Sequence, residues 1–449
     1  MKTSTTGNEA DLEAVKTEAG MPKKLVAWRQ KLSDKAKQEK EFRFYSLYSL
    51  VCHPETLEWA WKRVRRNKGA PGVDGVDFKR IEQSEGGVER FLLELERKLK
   101  EKRYKAKPVR RVYIEKPNGG LRPLGIPTIE DRVVQMAVKL IIEPIFEADF
   151  NDCSYGYRPE RTAQDALKAI RVHLEDGKKE VYDADLSEYF DTIPHDKLML
   201  AVRKRIVDGS VLKLIRQWLK APVLEPRDKG EGPPKVQRKG KGTPQGGVIS
   251  PLLANIYLHW FEVVLYRKIR NDGLRAAIVR YADDFVILSS ERVHELYEFV
   301  EDKLEGWMGL KINREKTSTK SLRDAGERLD FLGYSFRYDK DLKGRPFRYL
   351  NIFPSSKSLK RERLVLRKKT DKKQCFKPLP ILVKELNSHL RSWGNYYSYG
   401  YPRKAFRDIN YYVGYRLKVH LERRSQRAYK VPEGKSLYRH LQELGLRQL

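Results

Sequence analysis

One short segment limits the possible folds more than any other part of the chain. Residues 278–288 consist of two apolar runs separated by the adjacent acids Asp283 and Asp284. Short apolar runs of this kind predict buried β-strands, so the two carboxylates are expected at the tip of a hairpin. Neighbouring carboxylates near a core repel each other and lose hydration, and a divalent cation offsets both costs. The alternative is an ordinary Asp-Asp hairpin turn.

A third acid adds to this pattern. Residues 180–185 predict a buried strand that ends at Asp185. If this strand pairs beside the hairpin, three carboxylates converge, as two-metal phosphoryl transfer requires. Mg2+ suits such a site because it binds one or two carboxylates together with phosphate and water oxygens. Asp183 and Asp191 compete with Asp185, and strand alternation places Asp183 and Asp185 on the same face.

The charge balance indicates the class of partner. The chain has 449 residues, with 92 Lys and Arg against 61 Asp and Glu, and a formal net charge of +31. Residues 340–449 carry 28 Lys and Arg against 8 Asp and Glu, which places +20 of this charge in the last quarter. A polyanion is the expected partner because neutralising phosphates releases counterions. The alternative is a very soluble basic protein.

Composition excludes several other classes. The three cysteines are Cys52, Cys153 and Cys375, and their spacing excludes a disulfide framework and a CxxC zinc site. The first twenty residues lack the pattern of a secretory signal. The longest apolar stretch, residues 247–266, contains polar and charged residues that a membrane span excludes. We therefore expect a reducing compartment and no membrane.

The chain is expected to have three regions, residues 1–50, 51–345 and 346–449. The first is predicted to be an N-terminal extension that is partly disordered, with an exposed helix over residues 25–48. In the second, strands and helices follow one another without regular alternation, which favours an α+β fold over a doubly wound sheet. The third is the basic quarter, and its pattern is mainly helical.

Three local patterns can be checked directly. Residues 109–126 alternate as two strands, with a Pro-Asn-Gly-Gly turn between them, and predict a basic hairpin. Residues 131–146 are apolar on nearly all sides of a helix, which predicts burial between layers. Residues 225–242 are rich in Pro, Gly and Lys and predict a flexible polar loop.

Eight sequence blocks occur together in a fixed order. They are Lys68-Gly-Ala-Pro-Gly-Val-Asp-Gly75, Leu121-Arg-Pro-Leu-Gly-Ile-Pro127, Ser154-Tyr-Gly-Tyr-Arg-Pro159, Asp183-Ala-Asp-Leu186 with Phe190-Asp191, residues 242–256, Tyr281-Ala-Asp-Asp284, Glu315-Lys-Thr317 and Phe331-Leu-Gly333. Tyr281-Ala-Asp-Asp284 resembles the YxDD box of reverse transcriptases. The whole set resembles bacterial-type group II intron-encoded reverse transcriptases with maturase activity. This resemblance implies a right-hand polymerase with fingers and palm, followed by an α-helical thumb and maturase domain.

The resemblance also implies roles for individual residues. Asp185, Asp283 and Asp284 match the catalytic acids and metal ligands, and the backbone carbonyl of Leu186 matches a further ligand. The residues implied to contact the nucleotide are Lys116, Arg122, Phe190, Gln245 and Lys316. Phe190 corresponds to the aromatic gate against a ribose 2′-hydroxyl, because a bulky apolar ring clashes with that group. Core packing is the alternative for Phe190, and a solvated charge is the alternative for Lys316.

The basic quarter contains candidate RNA contacts. Residues 386–397 resemble the signature of the group II intron maturase domain, which also serves as the polymerase thumb. The candidate RNA-binding residues are Lys357, Lys360, Arg361, Arg367, Lys368, Lys369, Tyr396 and Tyr397. The lysines and arginines suit phosphate tracking, and the tyrosines suit stacking on unpaired bases. The alternatives are a solvated helix and an aromatic core, and Trp393 is assigned to the core.

The expected function is that of an RNA-directed DNA polymerase that copies RNA into cDNA and binds group II intron RNA. We expect two Mg2+ ions, with Mn2+ as a substitute, together with an RNA template, a DNA or RNA primer, and dNTPs. The expected enzyme is a monomer or dimer, associated with nucleic acid in a bacterial cytoplasm. No endonuclease domain is expected. The alternatives are a splicing-only maturase, a domesticated enzyme in defence or repair, and a viral-type RNA-dependent RNA polymerase.

Overall fold

The computed structural model describes residues 20–115, 120–225, 235–237, 240–341, 347–425, 427 and 429–449. Among these, residues 20–173 and 182–318 form a larger unit, and residues 174–181 and 319–449 form a smaller one. Lys116, predicted to contact the nucleotide, lies outside the described residues. The predicted boundaries at 50/51 and 345/346 remain predictions.

Helices and strands alternate irregularly along the chain, which confirms the α+β prediction. Up to β3 the elements are α1 (Lys23–Gln38), α2 (Tyr48–Val51), α3 (Pro54–Arg66), α4 (Phe78–Glu82), α5 (Gly87–Lys100), β1 (Val109–Glu115), β2 (Leu121–Ile126), α6 (Ile129–Glu147), α7 (Ala163–Glu175) and β3 (Glu180–Ala184). The next elements are α8 (Tyr189–Thr192), α9 (His195–Arg203), α10 (Gly209–Lys220), β4 (Val223–Glu225), β5 (Lys235–Gln237), α11 (Ser250–Asn271), β6 (Ala276–Tyr281), β7 (Asp284–Ser289), α12 (His294–Glu301) and a π-helix (Asp302–Trp307). The last are β8 (Ser318–Ser321), β9 (Leu329–Phe331), β10 (Tyr334–Lys340), β11 (Arg348–Pro354), α13 (Ser356–Lys369), a 3-10 turn (Lys372–Gln374), α14 (Leu379–Tyr396), α15 (Arg403–Glu422) and α16 (Leu437–Glu443).

Helix α6 lies at the centre of the larger unit. It is buried on almost every side, as its apolar pattern predicts, and α1 and α3 pack against it. The helix predicted over residues 25–48 is confirmed at α1, but it is not exposed on every side, because Leu25 and Ala36 are fully buried. Arg29 of α1 also donates to the main-chain oxygen of Leu140 at 2.5 Å. Although most residues of α1 are charged or polar, the helix has a short apolar face that packs against α6.

A four-stranded sheet carries the basic hairpin, in the order β2-β1-β4-β5. Strands β1 and β2 are antiparallel, with Ile114 opposite Arg122, which confirms the predicted hairpin. Strand β4 runs parallel to β1 and pairs antiparallel with β5. The prediction of a loop over residues 225–242 is therefore wrong at Lys235–Gln237, where main-chain pairing with β4 gives a strand despite the polar sequence.

The acidic hairpin lies in a second four-stranded sheet, in the order β6-β7-β3-β8. Strands β6 and β7 are antiparallel, and their apolar residues are almost all buried. Strand β3 is the neighbour of β7 in this sheet, as predicted for the strand that precedes Asp185. No helix in the described part of the chain is both long and apolar enough to span a bilayer.

The smaller unit combines a sheet with a helical bundle. Strands β9, β10 and β11 form an antiparallel sheet with β10 in the middle. The helices share a core formed by Leu366, Leu379, Leu382, Val383, Leu386, Leu390, Trp393, Ile409, Val413, Leu417, Leu421 and Leu441. Trp393 is thus part of the core, as predicted.

A buried polar cluster connects the segment before β1 to α6 and α10. The Tyr104 hydroxyl donates to Asp131 Oδ1 at 2.5 Å and accepts from Trp218 Nε1 at 2.9 Å. The Thr128 hydroxyl donates to the other Asp131 oxygen at 2.7 Å. Burial raises the pKa of the Asp131 carboxyl, while the Tyr104 and Thr128 hydrogen bonds act in the opposite direction. The cluster therefore fixes the start of the basic hairpin on the central helix.

We expect Tyr104→Phe to lower the free energy of unfolding by about 2 kcal/mol, because a buried carboxylate and an indole N–H each lose a partner. The matched control is Tyr113→Phe, since the Tyr113 hydroxyl also donates to a carboxylate, that of Glu225, but at an exposed position. The control should change stability by less than about 0.5 kcal/mol. Denaturant unfolding of the two variants measures the difference, and equal losses would contradict the assignment.

Candidate active site

The acidic hairpin ends in a strained two-residue turn. Tyr281 pairs with Asp284 across the hairpin, so Ala282 and Asp283 form the turn itself. Ala282 has a φ of +60°, in the left-handed region that residues with a side chain rarely adopt. The strands thus bring the two acids to one end of the sheet, and the turn holds Asp283 at the tip.

A fully buried arginine lies directly beneath this turn. The Arg280 guanidinium donates to the main-chain oxygen of Ala282 at 2.8 Å and to Asn255 Oδ1 at 2.9 Å. It also donates to Ser154 Oγ at 2.6 Å and to Glu262 Oε1 at 2.5 Å. Burial raises the pKa of Glu262, but Arg280 and His259 together outweigh it, and the pKa falls to about 2. The pair is therefore ionised at neutral pH.

Asp185 follows the last residue of β3, next to the hairpin. Its Oδ2 accepts from Asn313 Nδ2 at 3.1 Å and from Lys316 Nζ at 3.0 Å. The Asp185 main-chain oxygen accepts from the Asn313 N–H at 2.8 Å. The next residue, Leu186, is buried and forms an antiparallel bridge with Ile312. Lys316, which was predicted to contact the nucleotide, thus donates a hydrogen bond to Asp185, a candidate metal ligand.

The acids influence one another electrostatically. Burial raises the pKa of Asp283, and the charge of Asp185 raises it further, whereas Arg122 and Arg280 lower it. The pKa of Asp284 rises to about 7, because of desolvation first and then because of the carboxylates of Asp283, Asp185 and Asp183. Asp284 nevertheless retains solvent-exposed surface. The Asp183 charge also raises the pKa of Asp284, so Asp183 is a charged neighbour of the predicted triad.

This donor set fits a hard divalent cation. The carboxylates raise each other's pKa, and the nearby charges of Arg122, Arg280 and Lys316 offset this only in part. Oxygen donors of this type suit Mg2+ or Mn2+. Within the described ranges, no three or more His, Cys, Asp or Glu side chains lie close enough to form a complete metal site. Substrate phosphates and water normally supply the remaining ligands of such ions.

Two aromatic residues and an arginine lie around the acids. Phe190, in α8, packs edge-on against Tyr157 with ring centroids 6.2 Å apart. Burial raises the pKa of the Tyr157 hydroxyl, the charges of Asp283 and Asp284 raise it further, and Arg122 lowers it. Arg122 is exposed on β2. Arg122 therefore acts electrostatically on Asp283, and Phe190 packs against Tyr157, whose hydroxyl is influenced by both acids.

Gln245 lies where a glycine-rich turn meets the basic hairpin. Its main-chain oxygen accepts from the Gly125 N–H at 2.6 Å, and its buried side-chain Oε1 has no hydrogen-bond partner. Gly246 has a φ of +116°, and a Cβ at this position would lie 2.6 Å from the Gly125 oxygen. The glycine thus allows the turn to approach β2.

Sequence reasoning missed two residues of this region. Arg280 lies within the hairpin motif, but in the sequence it is only one polar position in an apolar strand, so no role was predicted for it. Tyr157 lies in the block Ser154–Pro159 but was given no role of its own. The structure distinguishes it by an exposed aromatic ring on a backbone with a φ of +61°. Asp191, the alternative third acid, lies instead beside Gly242. A Cβ added to Gly242 would be 2.7 Å from the main-chain oxygen of Asp191.

The candidate RNA-binding residues fall into two groups. On α13 the side chains of Lys357, Lys360, Arg361, Arg367 and Lys368 are exposed, and Lys369 is half-buried. Tyr396 and Tyr397 are instead half-buried in an aromatic cluster with Tyr334 and Trp393. The Tyr396 hydroxyl donates to the Leu332 oxygen at 2.8 Å. These two tyrosines pack inward because the β9–β10 turn covers them.

Other tyrosines of the smaller unit face solvent. Tyr411 and Tyr415 are one helical turn apart on α15, with 80% and 53% of their surfaces exposed. The neighbouring ring of Tyr412 lies under the Arg363 guanidinium of α13, at 5.9 Å from the ring centroid. An exposed aromatic face therefore adjoins the basic face of α13.

Two family models match the chain. Residues 114–336 match the reverse transcriptase (RNA-dependent DNA polymerase) model, and residues 359–438 match the group II intron, maturase-specific domain. The first match includes the acidic hairpin, Asp185 and most of the basic hairpin. The second includes most of α13 together with α14 and α15. The predicted reverse transcriptase fold and the helical maturase region are thus both confirmed.

Curated relatives give the same result. Protein YkfC of Escherichia coli (strain K12) is 35% identical over 374 residues, which cover 75% of this chain and 93% of YkfC. Group II intron-encoded protein LtrA of Lactococcus lactis subsp. cremoris is 29% identical over 374 residues, which cover 70% of this chain but 60% of LtrA.

Among solved structures, a telomerase from Candida albicans in complex with a TWJ fragment of telomeric RNA aligns with a TM-score of 0.44 and 13% identity. That alignment covers 77% of this chain and 62% of the telomerase chain. The assignment rests on the sequence matches alone. With a reverse transcriptase region followed by a maturase-specific domain, and with a relative that it covers almost completely, the chain belongs to the group II intron reverse transcriptase/maturase family, a family of RNA-directed DNA polymerases.

Proposed function

We propose that the chain copies RNA into complementary DNA at Asp185, Asp283 and Asp284, and that it binds group II intron RNA to assist splicing and mobility. The observation that carries the proposal is the position of Asp185 at the end of β3, beside the hairpin that carries the other two acids. The proposed setting is a bacterial cytoplasm, with an RNA template and a DNA or RNA primer.

Reverse transcriptases generally use divalent metal ions, and here Asp185, Asp283, Asp284 and the main-chain carbonyl of Leu186 would hold two Mg2+ ions. When bound, such ions activate the primer 3′-hydroxyl and neutralise charge on the triphosphate. The chain itself supplies positioning. Asn313 orients the Asp185 carboxylate, and the Lys316 ammonium partly compensates its charge until cations arrive.

The residues around the acids suit a deoxynucleoside triphosphate. Arg122 can bind phosphate oxygens through two parallel N–H groups, and Lys116 would add a point charge. The Phe190 ring would exclude a ribose 2′-hydroxyl because it clashes with that group and offers it no hydrogen bond. The free Gln245 amide oxygen supports a role beside the nucleotide.

The exposed face of α13 suits an RNA backbone. Its lysines and arginines would neutralise phosphates, and the exposed rings of Tyr411 and Tyr415 suit stacking on unpaired bases. Tyr396 and Tyr397 were also candidates for stacking, but their rings pack against Tyr334 and Trp393 inside the unit.

Asp283→Asn should abolish primer extension on an RNA template. The amide has nearly the same shape as the proposed metal-binding carboxylate but lacks its negative charge. RNA affinity should stay within about twofold, since the proposed phosphate contacts are elsewhere. The control is Asp302→Asn, an exposed acid in the same unit. Incorporation of dNTPs is measured at several Mg2+ concentrations, and near-normal extension by Asp283→Asn would refute the proposed site.

Phe190→Val should raise the incorporation of ribonucleotides relative to deoxyribonucleotides by about tenfold or more, because the smaller side chain leaves room for a 2′-hydroxyl. The measurement is kcat/KM for matched rNTP and dNTP pairs. Phe299→Val, at another partly buried phenylalanine of the larger unit, serves as the control. Unchanged discrimination in Phe190→Val would assign Phe190 to core packing.

Intron RNA binding should weaken steeply with salt, and the triple change Lys360→Gln, Arg361→Gln and Arg367→Gln should flatten the log–log salt slope by about 2. The matched control is the triple change Lys62→Gln, Lys100→Gln and Lys168→Gln. These three lysines pair with nearby acids. Both variants lose the same net charge. Equal slopes would show that only total charge matters and would contradict a specific RNA face.

A further inference from the structure

We propose that Arg280 is a positioning residue for the reaction. Its guanidinium bonds to the main-chain oxygen of Ala282 and so holds the hairpin tip in the conformation that places Asp283 and Asp284. This inference rests on the proposed function of the two acids. Arg280 is fully buried, so it acts through the turn and has no access to substrate.

The turn needs such support because of its backbone conformation. Ala282 is held at a φ of +60°, which an L-residue with a Cβ adopts only when its surroundings compensate. Pairing between Tyr281 and Asp284 closes the hairpin but leaves the Ala282 carbonyl without a ladder partner. The Arg280 Nη1 hydrogen bond of 2.8 Å satisfies that carbonyl.

An arginine is the side chain that can make this set of contacts. Three acceptors other than the Ala282 oxygen surround the guanidinium, namely Asn255 Oδ1, Ser154 Oγ and Glu262 Oε1. Asn255 and Glu262 lie on α11 and Ser154 lies before α7, and the three surround one planar fork of N–H donors, which a lysine ammonium cannot reproduce. The acceptors fix the guanidinium, and the guanidinium fixes the turn.

A second contact supports the tip from the neighbouring segment. Asn255 Nδ2 donates to the Gly156 oxygen at 2.8 Å, so the residue that orients Arg280 also holds Gly156. The Gly156 backbone lies against the turn, and a Cβ there would be 2.4 Å from the Ala282 nitrogen. Asn255 thus contacts both supports of the turn, the Arg280 guanidinium and the Gly156 backbone.

The decisive variant is Arg280→Lys, which keeps a positive charge for Glu262 but cannot reach all four acceptors. The expected result is a fall in kcat for dNTP incorporation of about 100-fold, as for a misplacement of catalytic groups by about 1 Å. KM for dNTP should stay within about twofold, because the phosphate-binding residues are unchanged. The Mg2+ concentration for half-maximal activity should rise.

The matched control is Arg205→Lys in the same unit. Arg205 is also buried, and its guanidinium donates to the main-chain oxygens of Ala36 at 2.8 Å and Glu39 at 3.0 Å, away from the hairpin. Both lysine variants should lower the thermal unfolding midpoint, but only Arg280→Lys should change kcat and the Mg2+ requirement. The inference is overturned if Arg280→Lys keeps kcat within about twofold of the parent, or if both variants lose kcat in proportion to their stability.

If Arg280→Lys does not fold, Ser154→Ala replaces it, because it removes one acceptor without leaving a charge unpaired. A fall in kcat of about fivefold then supports the inference, and an unchanged kcat overturns it. Asp283→Asn separates this question from the proposed function. Normal extension by Asp283→Asn refutes the proposed function, whereas loss of extension there with normal Arg280→Lys refutes only the positioning role.

Discussion

The ion pair between Glu262 and Arg280 is the interaction on which the acidic hairpin depends. Both side chains are fully buried, and an unpaired charge at such a depth would cost several kcal/mol. The cost is offset because Arg280 makes four hydrogen bonds, while Glu262 accepts from Asn151 at 3.1 Å as well as from Arg280. Removing either partner would typically cost about 3–5 kcal/mol, since it leaves the other charge buried and alone.

The larger unit therefore contains two kinds of carboxylate with opposite electrostatics, a fully buried one at Glu262 and a desolvated but solvent-accessible one at Asp284. Glu262 faces a guanidinium, and its pKa falls to about 2, whereas Asp284 faces other carboxylates, and its pKa rises to about 7. The first arrangement stabilises the fold. The second concentrates negative charge at Asp284, beside Asp283 and Asp185, where the proposed cations would bind. Stability and the proposed reactivity thus belong to carboxylates that are 22 positions apart in the chain.

Much of the fold could be predicted because it follows from local periodicity. The buried helix α6, the basic hairpin, the acidic hairpin and the strand before Asp185 all show a pattern set by which face is buried. The failures occurred where a partner distant in the sequence determined the outcome. Helix α1 docks on α6 with only a short apolar face, and β5 forms because β4 offers a free edge. Tyr396 and Tyr397 likewise turn inward because Tyr334 and Trp393 are there to receive them.

The sequence by itself determined the chemistry: adjacent acids between two apolar strands, a third acid at a strand end, and a basic C-terminal quarter, in blocks typical of one family. The tertiary structure alone determined how the acids are held. The partners of Arg280 come from positions 18, 25 and 126 residues away, and nothing in the local pattern distinguishes this arginine from a solvated one. The reason is physical, since the energy of a buried charge depends on which groups surround it, and only the folded chain brings those groups together.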